Sequence, residues 1–250
     1  MHGAGKRAIL DGLFSLLGFA GVAILLVSLT DSREAVNAAA FVTGLTLVAG
    51  AVASVVRRRP SFSGPADRVT LLRAVLAGGC ATLIVLALWG SVPLRSWWLI
   101  VLAVPALLLD AVDGLVARRT GTASADGARL DMETDAILLL VLSVPAALTV
   151  GWWAALIGLM RYLFVAASWW RPALRAPLEF SQFRRVTAAL QGAALAVALA
   201  PFVPVALATA VLAAALALLG ASFGRDIVHL ERASSRAAPQ RGEPVLPGSG

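Results

Sequence analysis

The chain has 250 residues, of which 59% are hydrophobic and only 14% charged, where a soluble domain carries about 25% charged residues. A soluble fold this rich in Ala, Leu and Val, with a mean hydropathy of +0.85, lacks the polar residues to cover its surface. A lone cysteine, Cys80, excludes an intrachain disulfide framework and a multi-cysteine zinc site, and the two histidines, His2 and His229, sit near the ends, away from any triad or His-based metal site. The net charge of +7 does not indicate nucleic-acid binding. The arginines lie between apolar runs, where membrane topology places them.

Residues 12–30, 35–56 and 74–94 are uncharged, and each run is long enough to cross the ~30 Å hydrocarbon core as a helix. Lys6 and Arg7 precede the first run. Its length and the spans that follow make it an uncleaved anchor rather than a signal peptide. Residues 96–109 are apolar and continue in a helical pattern to about Ala117. The run 136–170 is broken only by Arg161; at ~1.5 Å per residue it is too long for one crossing, so it turns back near Gly151. The uncharged run 186–224 turns back in the same way at Pro201 and Pro204.

The expected fold is all-α and polytopic, with eight transmembrane helices. Two N-terminal helices occupy residues 1–60 and a six-helix membrane domain residues 61–230. The segment 231–250, rich in Pro, Gly, Ser and Arg, is expected to be a disordered cytoplasmic tail. With both termini inside, most arginines, Arg73, Arg118 and Arg184 among them, fall on the cytoplasmic side, and only Arg33 and Arg95 fall outside. Trp89, Trp97, Trp98, Trp152 and Trp153 then mark the outer interface, and Trp169 and Trp170 the inner one.

Six of the fourteen acidic residues lie between positions 110 and 135. Asp110 and Asp113 are spaced i,i+3 late in one apolar helix, and Asp131 and Asp135 are spaced i,i+4 at the start of the next, so each pair shares a helix face. A turn-rich stretch at 119–127 joins them. An antiparallel pair joined there brings the carboxylates together at the cytoplasmic end. Ionised carboxylates at membrane depth are costly unless paired or metal-bound. Hard oxygen ligands suit Mg²⁺ or Mn²⁺ rather than zinc, and two such ions serve displacement at phosphorus. Gly114, Ala117 and Gly127 lie on the stripes of their aspartates and leave room beside them. Arg118 adds a fixed charge suited to phosphate. Metals, space and a phosphate-binding arginine at a membrane surface point to a lipid-linked diphosphate substrate.

The string Asp110-Ala-Val-Asp113-Gly114-Leu-Val-Ala117-Arg118, followed by Gly127, Asp131 and Asp135, resembles the motif of the CDP-alcohol phosphotransferase family, class I. The family's six-helix domain would cover about residues 62–225, leaving the first two helices as an addition. Asp67-Arg-Val-Thr70-Leu-Leu-Arg73 resembles the short segment preceding the family's first core helix, where an Asn or Asp is followed three later by Thr. The resemblance implies that Asp110, Asp113, Asp131 and Asp135 hold the divalent ions and that Asp135 is also the general base for the acceptor hydroxyl. It implies that Gly114, Ala117 and Gly127 let a cytidine nucleotide pack closely, that Arg118 holds a nucleotide phosphate, and that Asp67 and Thr70 line the nucleotide pocket. It also implies a homodimer in the cell membrane with its active site on the cytoplasmic side.

The expected activity is transfer of a phosphatidyl group from CDP-diacylglycerol to an alcohol acceptor in phospholipid synthesis, with release of CMP. The family's acceptors include glycerol phosphate, inositol phosphate, serine and phosphatidylglycerol. Thr70-Leu-Leu-Arg73 is closer to the glycerol phosphate branch. Arg161, in mid-span, is either a structural partner of a site carboxylate or an anion ligand in the acceptor pocket, and Arg184 and Arg185 are either acceptor ligands or topological anchors. Thr187 and Gln191, one turn apart, are candidates for the same cavity, and Asp126 and Glu133 read as rim residues. Two alternatives remain: a soluble CDP-alcohol delivering its phospho-headgroup to diacylglycerol, and a non-catalytic CDP-lipid-binding protein. A cation channel or transporter fits less well, because the carboxylates gather at one membrane face rather than the midplane.

Overall fold

The computed structural model describes residues 2–57, 64–120, 125–170 and 182–237, with the backbone alone described at 2–5, 111–120, 125, 168, 170, 182–185 and 226–237. Among them are eight α-helices: α1 (His2–Ser28), α2 (Glu34–Val56), α3 (Pro65–Leu88), α4 (Trp97–Thr120), α5 (Ala125–Val150), α6 (Ala155–Trp170), α7 (Gln182–Leu199) and α8 (Val205–Ala237). No strand occurs among the described residues. Five helices are long and apolar enough to cross a membrane. Large apolar side chains such as Phe14, Leu17, Ile24 and Leu108 point outward, the inverse of a water-facing surface and the arrangement a lipid solvent requires.

The two expected reversals are present. Gly151, at φ +131°, ends α5 in a backbone conformation that side-chain-bearing residues rarely adopt, and a 3₁₀ turn at Trp152–Ala154 leads into α6. The α7–α8 turn runs through Pro201 and Pro204, and Arg95 caps it by donating to the carbonyls of Ala200 and Val203. This arginine, an exception to the charge asymmetry, binds two carbonyls of the turn that follows α7. Trp97 stacks on Phe202 at 5.5 Å, tying the start of α4 to the same turn.

The most enclosed helix is α3. It packs against α1, α2, α4 and α5, and its side chains from Leu71 to Leu86 are almost all buried. Its run of Ala77, Gly78, Gly79, Cys80 and Ala81 is what permits this, because small residues let helix backbones approach closely in a membrane. A Cβ on Gly78 would meet the Gly44 carbonyl at 3.0 Å, and one on Gly44 would meet the Gly78 carbonyl at 2.6 Å. Thr82 seals the crossing by donating its hydroxyl to the carbonyls of Gly78 at 3.0 Å and Ala40 at 3.3 Å. At the other end of α1, Arg68 donates to Asp11 at 3.0 Å.

Three boundaries differ from expectation. The third span starts at Pro65 rather than residue 74, so Asp67, Arg68 and Arg73 lie inside α3. Uncharged-run counting ends a span at its last charge, but a charge with buried partners does not end a helix. The same reason moves the start of α5 to Ala125, ahead of Asp131. At the other end, α8 continues to Ala237, past residue 231 where the tail was expected to begin. Its last turns contain Glu231, Arg232, Ala233 and Arg236, which favour helix despite their polarity. The rest of that segment, 238–250, lies outside the described residues.

The α5–α6 crossing gives a direct test of this packing. A Cβ on Gly158 would lie 2.5 Å from the Leu140 Cα and 2.9 Å from the Leu139 carbonyl, both backbone atoms, whereas one on Gly18 has nothing within 4 Å. Gly158→Ala is expected to cost about 1–3 kcal/mol, and Gly18→Ala to be neutral or stabilising by about 0.5 kcal/mol. Thermal unfolding in detergent, compared between the two variants, reads the difference; equal midpoints contradict the close crossing.

Candidate active site

The centre of the site is Arg73. Its side chain is wholly buried, projecting from α3 towards the start of α5 and the latter half of α4. Nη1 donates to the Asp110 carboxylate at 2.6 Å, and Nη2 donates to the Asp131 carboxylate and to the Asp131 carbonyl, the latter at 2.8 Å. One guanidinium therefore binds two carboxylates from two helices. The planar fork of arginine suits this geometry better than a lysine ammonium would. A buried cation requires such partners, because an uncompensated charge in an apolar interior is strongly destabilising.

Asp135, one turn beyond Asp131 on α5, completes the described group. It lies within electrostatic reach of Asp110, Asp131, Arg73 and Arg161. Asp110 and Asp131 thus meet on one guanidinium, as the expected antiparallel α4–α5 arrangement requires, and Asp135 stands within electrostatic reach of both. The contact runs through α3, however, and not only across the α4–α5 hairpin. Arg73, placed from the sequence only among the arginines on the cytoplasmic side, is the internal counter-ion of the cluster. A signal for it existed in the order of residues. Thr70, Arg73 and Ala77 form one i,i+3,i+7 stripe, and a stripe that ends in small apolar residues belongs to a buried face.

Asp67 and Thr70 lie about two turns and one turn, respectively, nearer the start of α3 than Arg73. Asp67 accepts the Gly64 backbone N–H at 2.9 Å, which caps α3, and Thr70 donates its hydroxyl to the Ala66 carbonyl at 3.1 Å. Both are buried. Gly127 sits half-buried in the first turn of α5. Asp113, Gly114, Ala117 and Arg118 are on α4, and Arg184 and Arg185 on α7, at positions whose side chains lie outside the described ones.

Arg161 makes a salt bridge, but with a different carboxylate than expected. It forms an ion pair at 2.6 Å with Glu133, not with one of the motif aspartates, and both side chains keep partial exposure, 29% and 44%. Glu133 is accordingly more than a solvated rim residue: it holds the α6 arginine beside Asp135. Gln191 donates to the Ala215 carbonyl at 2.8 Å and ties α7 to α8, and Thr187 is buried on the same helix.

The donor set fits divalent cations. It is made of carboxylate oxygens, the chemistry preferred by Mg²⁺ and Mn²⁺. Asp110 and Asp131 already converge on a positive charge, and their side chains are 38% and 35% exposed, so a further cation has access. Among the described residues no three His, Cys, Asp or Glu stand close enough to form a metal site by themselves. Asp113, the fourth aspartate expected in the set, is one of the positions whose side chain lies outside them.

Comparison with known proteins identifies the family. No curated protein and no solved structure matches the chain. A family model described as CDP-alcohol phosphatidyltransferase matches residues 63–221, which run from just before α3 into α8 and include Arg73 and all four motif aspartates. That is more than half of the chain, and it leaves α1 and α2 outside the matched stretch. The chain is a polytopic, all-helical membrane protein and belongs to the CDP-alcohol phosphatidyltransferase family.

Proposed function

We propose that this protein transfers a phosphatidyl group from CDP-diacylglycerol to an alcohol acceptor and releases CMP, at the cytoplasmic face of the cell membrane. Membership of the family gives the coarser statement, a transferase acting on CDP-alcohols in the membrane. The observation that carries the finer reading is the convergence of Asp110 and Asp131 on buried Arg73 within the matched stretch. It supports a preformed anionic site at the end of α4 and the start of α5, the end that the arginine distribution assigns to the cytoplasm.

In this reading Asp110, Asp113, Asp131 and Asp135 hold Mg²⁺ or Mn²⁺. Bound there, such ions would supply charge neutralisation for the donor's diphosphate and for the departing CMP. Arg73 keeps Asp110 and Asp131 in place, so the site loses little order when the nucleotide arrives. Gly114, Ala117 and Gly127 admit the cytidine, and Arg118, Asp67 and Thr70 line its pocket. Asp135 takes the proton from the acceptor hydroxyl. The acceptor oxygen forms a bond to the phosphatidyl phosphorus, the P–O bond to CMP breaks, and CMP carries away the electron pair. Arg161, held by Glu133, and Arg184 and Arg185 face a negatively charged acceptor, for which a glycerol phosphate-like alcohol is the proposed class. The enzyme is proposed to work as a homodimer.

The direct test is CMP release by purified protein with CDP-diacylglycerol, Mg²⁺ or Mn²⁺ and a panel of acceptors. Acceptor-dependent release that falls by about 10²–10⁴ in Asp135→Asn is expected for loss of a general base. Turnover of soluble CDP-alcohols with diacylglycerol, and none of CDP-diacylglycerol, contradicts the assignment of the donor.

Arg73 makes a second prediction that does not depend on turnover. Arg73→Met removes the internal cation and leaves Asp110 and Asp131 facing each other. A loss of ~2 kcal/mol is expected without divalent ions, below the ~3–5 kcal/mol of a fully buried pair because both carboxylates reach solvent. Mn²⁺ then takes over the counter-charge and stabilises the variant by mass action. The Mn²⁺-induced rise in melting temperature should be larger in Arg73→Met than in the parent protein. An equal rise in both contradicts placement of the metal at these carboxylates.

A further inference from the structure

A groove of about 340 Å³ opens along the seam where α2, α3 and α5 meet, at the lower end of the ~300–1,000 Å³ typical of ligand pockets. Its wall on one side is α2, with Gly50, Ala51 and Ser54. Ala74 and Ala77 of α3 and Leu130 and Ile137 of α5 form the other sides. Small residues on two of the three helices are what leave the space. Gly50 itself has no atom within 4 Å of where a Cβ would stand.

The groove is apolar along its length and charged at one end. Arg129, exposed and without an ion-pair partner among the described residues, lines the end nearest the start of α5. Glu133 also lines this end, but its charge is matched by Arg161, so the mouth is left positive. From there the groove reaches Thr46, about 15 Å along α2 from its Val56 end at ~1.5 Å per residue. That is roughly half of the ~30 Å hydrocarbon core.

The groove runs beside the carboxylate site on the same two helices, although among the described residues neither Arg73 nor a motif aspartate lines it. Ala74 follows Arg73, and Leu130 and Thr134 flank Asp131. The α3–α5 pair that Arg73 and Asp131 join therefore also supplies two walls of the groove. A positive mouth at the membrane surface, an apolar trough to mid-membrane and two helices shared with the reaction centre describe a place for one hydrocarbon chain beneath a phosphate.

We propose that this groove receives an acyl chain of the lipid donor, and that α2, which lies outside the family-matched residues, supplies its specificity for chain length. The inference rests on the reading of CDP-diacylglycerol as donor. It gives the N-terminal addition a role in substrate binding. A chain shorter than the trough leaves it partly empty, and a longer one fills it.

The test compares dioctanoyl and dioleoyl CDP-diacylglycerol in detergent micelles, using CMP release by the full chain. Gly50→Leu and Ser54→Phe fill the groove from α2; Leu207→Phe, on the exposed face of α8, is the control. The readout is the ratio of KM for the long-chain donor to KM for the short-chain donor, measured within each variant so that a partial loss of folded protein cancels. In both groove variants this ratio is expected to rise about tenfold, the effect of losing roughly two buried methylenes, with the ratio of kcat values little changed. In Leu207→Phe the ratio stays at the parent value. An active parent whose ratio is untouched by both groove variants overturns the inference and leaves the groove to bulk lipid or a second subunit. A parent that releases no CMP from either donor overturns the donor reading itself, so the two failures are distinguishable.

Discussion

A guanidinium with no solvent exposure holds the centre of this protein together. Arg73 cannot be accommodated on α3 without anionic partners, and Asp110 and Asp131 cannot approach each other at membrane depth without a cation. Each group makes the others tolerable. The three helices that carry them are consequently fixed at one end, and the remaining packing extends from that point. The result is a carboxylate site whose geometry exists before any metal or nucleotide is bound. Preformed electrostatics of this kind lower the reorganisation needed in phosphoryl-group chemistry.

The additional N-terminal helices belong to this arrangement. The glycine crossing of Gly44 with Gly78 and the hydroxyl of Thr82 bring α2 against α3, and the pair between Asp11 and Arg68 pins α1 to the start of the same helix. Both contacts brace the helix that presents Arg73. The helices outside the family-matched stretch thus support the element on which the site depends, and the same α2 forms one wall of the groove beside it.

Much of this was legible in the sequence. Uncharged runs located the helices, Gly151 and the Pro201–Pro204 segment located the hairpins, and the aspartate spacing pointed to a candidate site, in which the structure puts Asp110 and Asp131 on one guanidinium. Arg73 was not legible in the same way. Counting uncharged residues treats each charge as the end of a span, whereas the cost of a charge depends on its partners. Those partners are 37 and 58 residues away, beyond the reach of any local pattern. Arg161 shows the same limit. Its mid-span position announced that a partner was needed, but only the packing of α6 on α5 selected Glu133 over the motif aspartates. Arg95, which topology counting treated as an exception, acts as a cap for the α7–α8 turn.

The central claim is that the carboxylates around Arg73 hold divalent metal against the diphosphate of a CDP-lipid. Electron–nuclear double resonance on Mn²⁺-loaded protein with bound CDP-diacylglycerol tests it most directly. The account predicts ³¹P hyperfine coupling between Mn²⁺ and the diphosphate, abolished in Asp131→Asn. CDP-diacylglycerol bound to the protein with no phosphorus coupling to Mn²⁺, or a coupling that survives in Asp131→Asn, would contradict it.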